Sequence, residues 1–101
     1  MNRDQAIAML REHEPELKAS GVVGLSLFGS VARNETASAD IDVAVRLAAS
    51  FSSGGFDYFY QLEQLQQRLS RLLGCKVDVV PEPVRRERFQ REIDKDRALA
   101  F

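Results

Sequence analysis

The sequence predicts a small α/β domain organised on a few short strands. Three observations lead there. Apolar strand-like runs alternate with amphipathic helical stretches along all 101 residues. Gly, Ser and Pro punctuate the boundaries between them. One strand–turn–strand unit, Leu25 to Val45, sets a Gly29-Ser30 turn against two aspartates one strand period apart. A chain of this length makes one domain with a single core and leaves no room for a separate substrate-binding domain.

Taken in order, Asn2 caps a helix, with Gln5 at capping-box spacing, and Ala6, Ile7, Met9, Leu10 and Leu17 recur at helical intervals over residues 3–19. Pro15 bends or breaks this helix near His13, and Ser20-Gly21 ends it. His13, among Arg11, Glu12, Glu14 and Glu16, is expected in solvent. Val22 to Phe28 is apolar enough for a central strand. Val31-Ala32-Arg33 follows the Gly29-Ser30 turn as one helical turn, and residues 34–38 read as a loop. The second strand opens with Asp40-Ile41-Asp42 and puts Ile41, Val43 and Val45 on one face and Asp40, Asp42 and Ala44 on the other.

Residues 48–55, AASFSSGG, have the composition of a flexible connector, and Asp57 is the candidate cap of the next helix. There Phe59, Leu62, Leu65, Leu69, Leu72 and Leu73 form an apolar stripe expected in the core, and Gly74 ends it. Lys76 to Val80 is a third strand, with Lys76, Asp78 and Val80 on one face. Pro83 suits the first turn of a last helix. That helix interleaves Arg85, Arg86, Arg88 and Arg91 with acids, the pattern of a solvated face. The tail from Arg97 either frays or adds a short edge strand.

Composition narrows the function classes. Hydrophobic residues make up 45% and charged residues 29%, a soluble globular balance. A net charge of −1 and a pI near 5.8 give no general ground for nucleic-acid binding. The single cysteine, Cys75, excludes an intrachain disulfide and a cysteine metal cluster, and is expected half-buried. No stretch has the apolar run of a signal peptide or a membrane span, so a cytoplasmic, reduced chain is expected.

One constellation carries chemistry: Gly29, Ser30, Asp40, Asp42 and Asp78. Asp40 and Asp42 share a strand face, roughly 6–7 Å apart along the chain. If the strand of Asp78 pairs beside them in matching register, three carboxylates converge at one sheet edge. Their mutual repulsion calls for cations, and hard oxygen ligands suit Mg²⁺. Two such ions about 3.5–4 Å apart would clamp an in-line phosphoryl displacement. Gly29, without a Cβ, admits a phosphate to the backbone N–H groups, and the Ser30 hydroxyl adds a donor. Arg33, closing the helical turn, is a further candidate nucleotide contact. Taken singly, each piece also fits a bland reading of solvent-facing strand residues and a tight turn.

Their order is more specific. Gly-Ser after an apolar strand, nine residues, Asp-x-Asp opening a strand, and a later strand Asp resembles the DNA polymerase beta-like nucleotidyltransferase superfamily. LFGSVARNETASADIDVAV, in so short a chain, resembles its minimal nucleotidyltransferases, typically antitoxin partners of HEPN-domain toxins. The resemblance implies one minimal nucleotidyltransferase domain over residues 1–101, with a short mixed sheet packed against about four helices. It implies Mg²⁺-dependent transfer of AMP from ATP, with pyrophosphate released, to a tyrosine of a HEPN ribonuclease toxin. Asp40, Asp42 and Asp78 match the catalytic metal ligands, with Asp78 helping to deprotonate the acceptor hydroxyl, and Gly29 and Ser30 match the triphosphate contacts. Asn34 and Ala39 stand where that family usually has Gly and Ser. Asn tolerates positive φ, whereas the lost hydroxyl removes a contact behind the metal ligands. The alternatives are a weakly active or inactive antitoxin that neutralises by complex formation, or a nucleotidyltransferase for a small molecule or RNA.

Overall fold

The computed structural model describes residues 2–33, 40–52 and 56–101. The first helical stretch divides into α1 (Arg3–Glu12) and α2 (Glu14–Ala19). The capping box is formed: Asn2 Oδ1 accepts from the Gln5 N–H at 2.8 Å, and Gln5 Oε1 accepts from the Asn2 N–H at 3.1 Å. The break falls at His13, and Pro15 sits in the first turn of α2, where its missing N–H costs no helical bond. His13 is half-exposed, with Nδ1 3.2 Å from Glu16 Oε2. That contact is the main cause holding the Glu16 carboxyl below its usual range.

β1 (Val22–Phe28) leads into α3 (Gly29–Ala32), and the second strand is β2 (Asp40–Leu47). Ala49–Ser52 forms a short 3-10 turn before α4 (Phe56–Leu73), which is followed by β3 (Lys76–Pro81), α5 (Glu87–Asp96) and β4 (Ala98–Leu99). The sheet has four strands in the order β3-β2-β1-β4. β2 and β3 are parallel, while β1 runs antiparallel to both β2 and β4. The sheet is therefore mixed, as the resemblance implies, and the tail takes its edge-strand option. No described helix is long and apolar enough to cross a membrane.

Strand alternation gives the sheet two unlike faces. Leu25, Leu27, Ile41, Val43, Val45 and Val77 face the main core, which α1, α2 and α4 supply with Ala6, Leu10, Leu17, Leu65, Leu69 and Leu73. The opposite face is covered by α5, where buried Ile93 packs with Phe28 and Ala44. The Phe89 ring meets Phe28 edge-on at 5.9 Å. α4 also reaches β3 through its polar side. The Val77 N–H donates to Ser70 Oγ (3.0 Å), and the Val79 N–H to Gln66 Oε1 (3.1 Å).

Several local expectations change. Phe59 is 71% exposed, and Tyr58 takes its place against Phe51, with ring centroids 6.1 Å apart. Tyr58 lies four residues before Leu62 and Phe59 three, both spacings of the buried stripe, and it is Tyr58 that packs on Phe51. Phe51 is buried, so 49–52 is an anchored turn within the expected connector; the remainder, 53–55, lies outside the described residues. Asp57 falls inside the first turn of α4 and is not its cap. α5 begins at Glu87, four residues beyond Pro83. Cys75 is half-buried, as expected. The expected loop 34–38 and the divergent positions Asn34 and Ala39 lie outside the described residues.

Candidate active site

The C-terminal end of β1 and the N-terminal ends of β2 and β3 meet at one end of the face that α5 covers. Asp42 is the hub. On β2 it stands opposite Phe28 of β1 and in register with Asp78 of β3. Asp40, one strand period earlier, is in register with Lys76. Period-2 alternation puts the side chains of Asp40, Asp42, Lys76 and Asp78 on the same face. The register that brings Asp78 beside Asp42 is thus present.

The turn after β1 closes against this pair. Gly29 has φ +72°, a conformation that costs an L side chain about 1–2 kcal/mol. A Cβ built there would stand 2.6 Å from Asp42 Oδ2. Gly29 is therefore required twice, by its own backbone and by the carboxylate lying against it. α3 follows at once; the Arg33 N–H bonds the Gly29 carbonyl at 3.2 Å, and half-buried Ser30 lies in that single turn.

The electrostatics match the geometry. Burial pushes the Asp42 carboxyl above the usual carboxylate range, and the negative fields of Asp78 and then Asp40 push the same way. Among the described residues, no side chain donates a hydrogen bond to Asp42 or Asp78, nor is any group of three His, Cys, Asp or Glu drawn into a ready-made metal cage. The fit to a divalent cation rests on donor chemistry. The ligands are anionic, all-oxygen and mutually repelling, and beside them is a cradle that a Cβ would fill. Asp40, Asp42 and Asp78 are the residues that would hold it.

Arg33 is carried to the rim of the turn, where Nη1 lies 2.6 Å from Asp96 Oδ2 at the end of α5. Arg3 of α1 reaches the same segment, donating to the Ala32 carbonyl at 3.3 Å. Sequence reasoning missed three neighbours. Lys76 could have been found, since it shares the strand face of Asp78. Asp96 and Arg3 carry no local signal, because their partners lie 63 and 29 residues away in the chain. Arg85, Arg86, Arg88 and Arg91 are all exposed, as expected of a solvated face.

A second polar cluster sits toward the other end of this face. Arg97 Nη1 donates to Glu82 Oε1 at 2.9 Å and to Ser26 Oγ at 3.0 Å, and Nη2 donates to Glu82 Oε2 and to Asp94 Oδ1. Gln90 Nε2 donates to Glu82 at 2.6 Å. The Arg97 guanidinium is the main cause holding the Glu82 carboxyl below its usual range. This network fastens the end of α5 to β1 and to the segment after β3.

A glycine turn closing on a strand Asp-x-Asp, with a third Asp in register, is the arrangement that the resemblance to nucleotidyltransferases rests on. The chain belongs to the nucleotidyltransferase domain family, whose model matches residues 10–100. A relative from Methanocaldococcus jannaschii, provisionally named a protein adenylyltransferase, is 36% identical over 74 residues, spanning 71% of this chain and 70% of that one. A solved structure provisionally described as a minimal nucleotidyltransferase superposes with a TM-score of 0.73 at 26% identity, over 97% of this chain and 95% of the other. One chain of the toxin–antitoxin MntA–HpeT structure, solved as a double Asp→Glu mutant, shares the fold (TM-score 0.64, 20% identity, 100% of this chain and 73% of that one covered). So does a Sulfolobus solfataricus protein provisionally described as a nucleotidyltransferase (TM-score 0.53, 22% identity, 96% and 80% covered).

Proposed function

We propose that this chain is an antitoxin-type protein adenylyltransferase, moving AMP from ATP to a tyrosine hydroxyl of a HEPN-domain ribonuclease toxin and releasing pyrophosphate. The observation that carries the proposal is the close approach of Gly29 to Asp42, which is itself in register with Asp78. Phosphate turn and acid pair thus form one unit. Asp40 and Asp42 would hold two Mg²⁺ ions, with Asp78 on one of them; when bound, these ions neutralise the triphosphate and acidify the acceptor hydroxyl. The chain's own residues divide the remaining work. Gly29 lets phosphate oxygens approach the backbone N–H groups of the turn, Ser30 offers its hydroxyl, and Arg33 contributes positive charge. Asp78 accepts the proton of the attacking hydroxyl.

The name of the Methanocaldococcus relative supports a protein acceptor. The test is to incubate the purified chain with ATP, Mg²⁺ and the product of the adjacent gene, then weigh that product. A gain of one or more AMP groups is expected, and Asp42→Ala should abolish it. An unmodified mass under conditions where the two proteins bind would overturn the enzymatic proposal and leave neutralisation by binding.

A further inference from the structure

We infer that Asp96 is a positioning residue for Arg33, so that the end of α5 presets a cation at the nucleotide turn. The inference rests on residues 29–33 being the triphosphate turn. Arg33 leaves that turn immediately after α3, and its Nη1 meets Asp96 Oδ2 at 2.6 Å. The partners are unequal: the Asp96 side chain keeps 16% of its exposure and the Arg33 side chain 48%. Asp96 is the fixed member and Arg33 the reaching one.

The anchoring of Asp96 is visible on both sides. Three residues before it, Ile93 is fully buried, and Phe89 packs on Phe28, the residue preceding Gly29. One residue after it, Arg97 is locked by Glu82, Ser26 and Asp94. Asp96 therefore cannot follow a wandering arginine. The opposite side of the turn is also tied, by Arg3 to the Ala32 carbonyl. A long side chain loses rotamer freedom when it grips a phosphate, and one already oriented loses less.

The competing role is simple neutralisation, in which Asp96 cancels the charge of Arg33 and weakens anion binding. The two roles predict opposite signs. Binding of a ribose-labelled fluorescent ATP to the intact chain with Mg²⁺ is measured for wild type, Asp96→Ala, Asp96→Asn, Arg33→Ala and the double Arg33→Ala/Asp96→Ala variant. Positioning predicts roughly tenfold weaker binding in Asp96→Ala, in line with residues that orient other binding groups. Asp96→Asn, which keeps a hydrogen-bonding oxygen, should recover most of that loss. The double variant should bind no more weakly than Arg33→Ala alone. Unchanged or tighter binding in Asp96→Ala, or additive losses in the double variant, would overturn the inference while leaving the nucleotide turn intact. A wild type that binds no ATP would overturn both.

Discussion

Replacing Gly29 by alanine separates the two demands that the turn places on this residue, and Gly74 supplies the control. Both glycines hold left-handed backbone, φ +72° and +70°. A Cβ at Gly74 meets nothing within 4 Å, whereas one at Gly29 stands 2.6 Å from Asp42 Oδ2. The backbone cost is common to both, about 1–2 kcal/mol, and each kcal/mol lowers Tm by roughly 4–8 °C in a domain of this size. The extra contact at position 29 is with the tip of a short side chain, which can rotate away at little cost in stability. It cannot do so without leaving its place beside Asp78. Gly29→Ala and Gly74→Ala should therefore lose similar Tm in a thermal melt, while only Gly29→Ala loses the proposed adenylylation, by about a hundredfold or more, as expected when a carboxylate proposed to hold metal is displaced. Wild-type labelling rates in Gly29→Ala, or an equal loss in Gly74→Ala, would refute the coupling of turn to carboxylate.

Other perturbations have equally definite signs. Asp42 binds its proton more tightly folded than unfolded, so its ionisation costs stability as pH rises through the folded pKa. Without divalent metal, Asp42→Asn should raise Tm at pH 7, and the gain should vanish at acid pH, where wild-type Asp42 is protonated. Glu82 has the opposite linkage: its lowered pKa contributes stability above the unfolded carboxylate value, lost as pH falls through the folded one. Arg97→Ala leaves that carboxylate, whose side chain is only 5% exposed, without its charged partner and with Gln90 as its remaining side-chain donor, and should cost about 3 kcal/mol in urea unfolding at pH 7, shrinking toward acid. On α4, Leu69→Ala should cost about 2–5 kcal/mol and Phe59→Ala less than about 0.5, since one is buried and the other stands in solvent.

What the sequence disclosed follows from the range of the interactions involved. Strand faces were legible because alternation is a property of adjacent residues, so Asp40 and Asp42 could be assigned to one face without coordinates. The capping box at Asn2 and the break before Pro15 are likewise local. The pairing of Asp42 with Asp78 depended on which strand neighbours which, and could be stated only as a condition; the parallel β2–β3 ladder meets it. Phe59 misled because a helical period cannot tell two adjacent aromatics apart, and packing on Phe51 favoured Tyr58. The site's tether to α5 through Asp96 lay beyond any pattern, since an aspartate ending a charged helix resembles every other solvated acid.

The two bonds from α4 to β3 bear on the chemistry at a distance. Ser70 Oγ and Gln66 Oε1 receive the N–H groups of Val77 and Val79, alternate residues flanking Asp78. A ladder between two short strands can slide by one step, and one step would send Asp78 into the apolar interior and bring a valine out beside Asp42. The helix forbids that slide with a pair of pegs at a fixed spacing. The alignment of the third carboxylate is thus guarded by two uncharged side chains on the far side of the sheet, where a change such as Gln66→Leu would loosen the site without touching it.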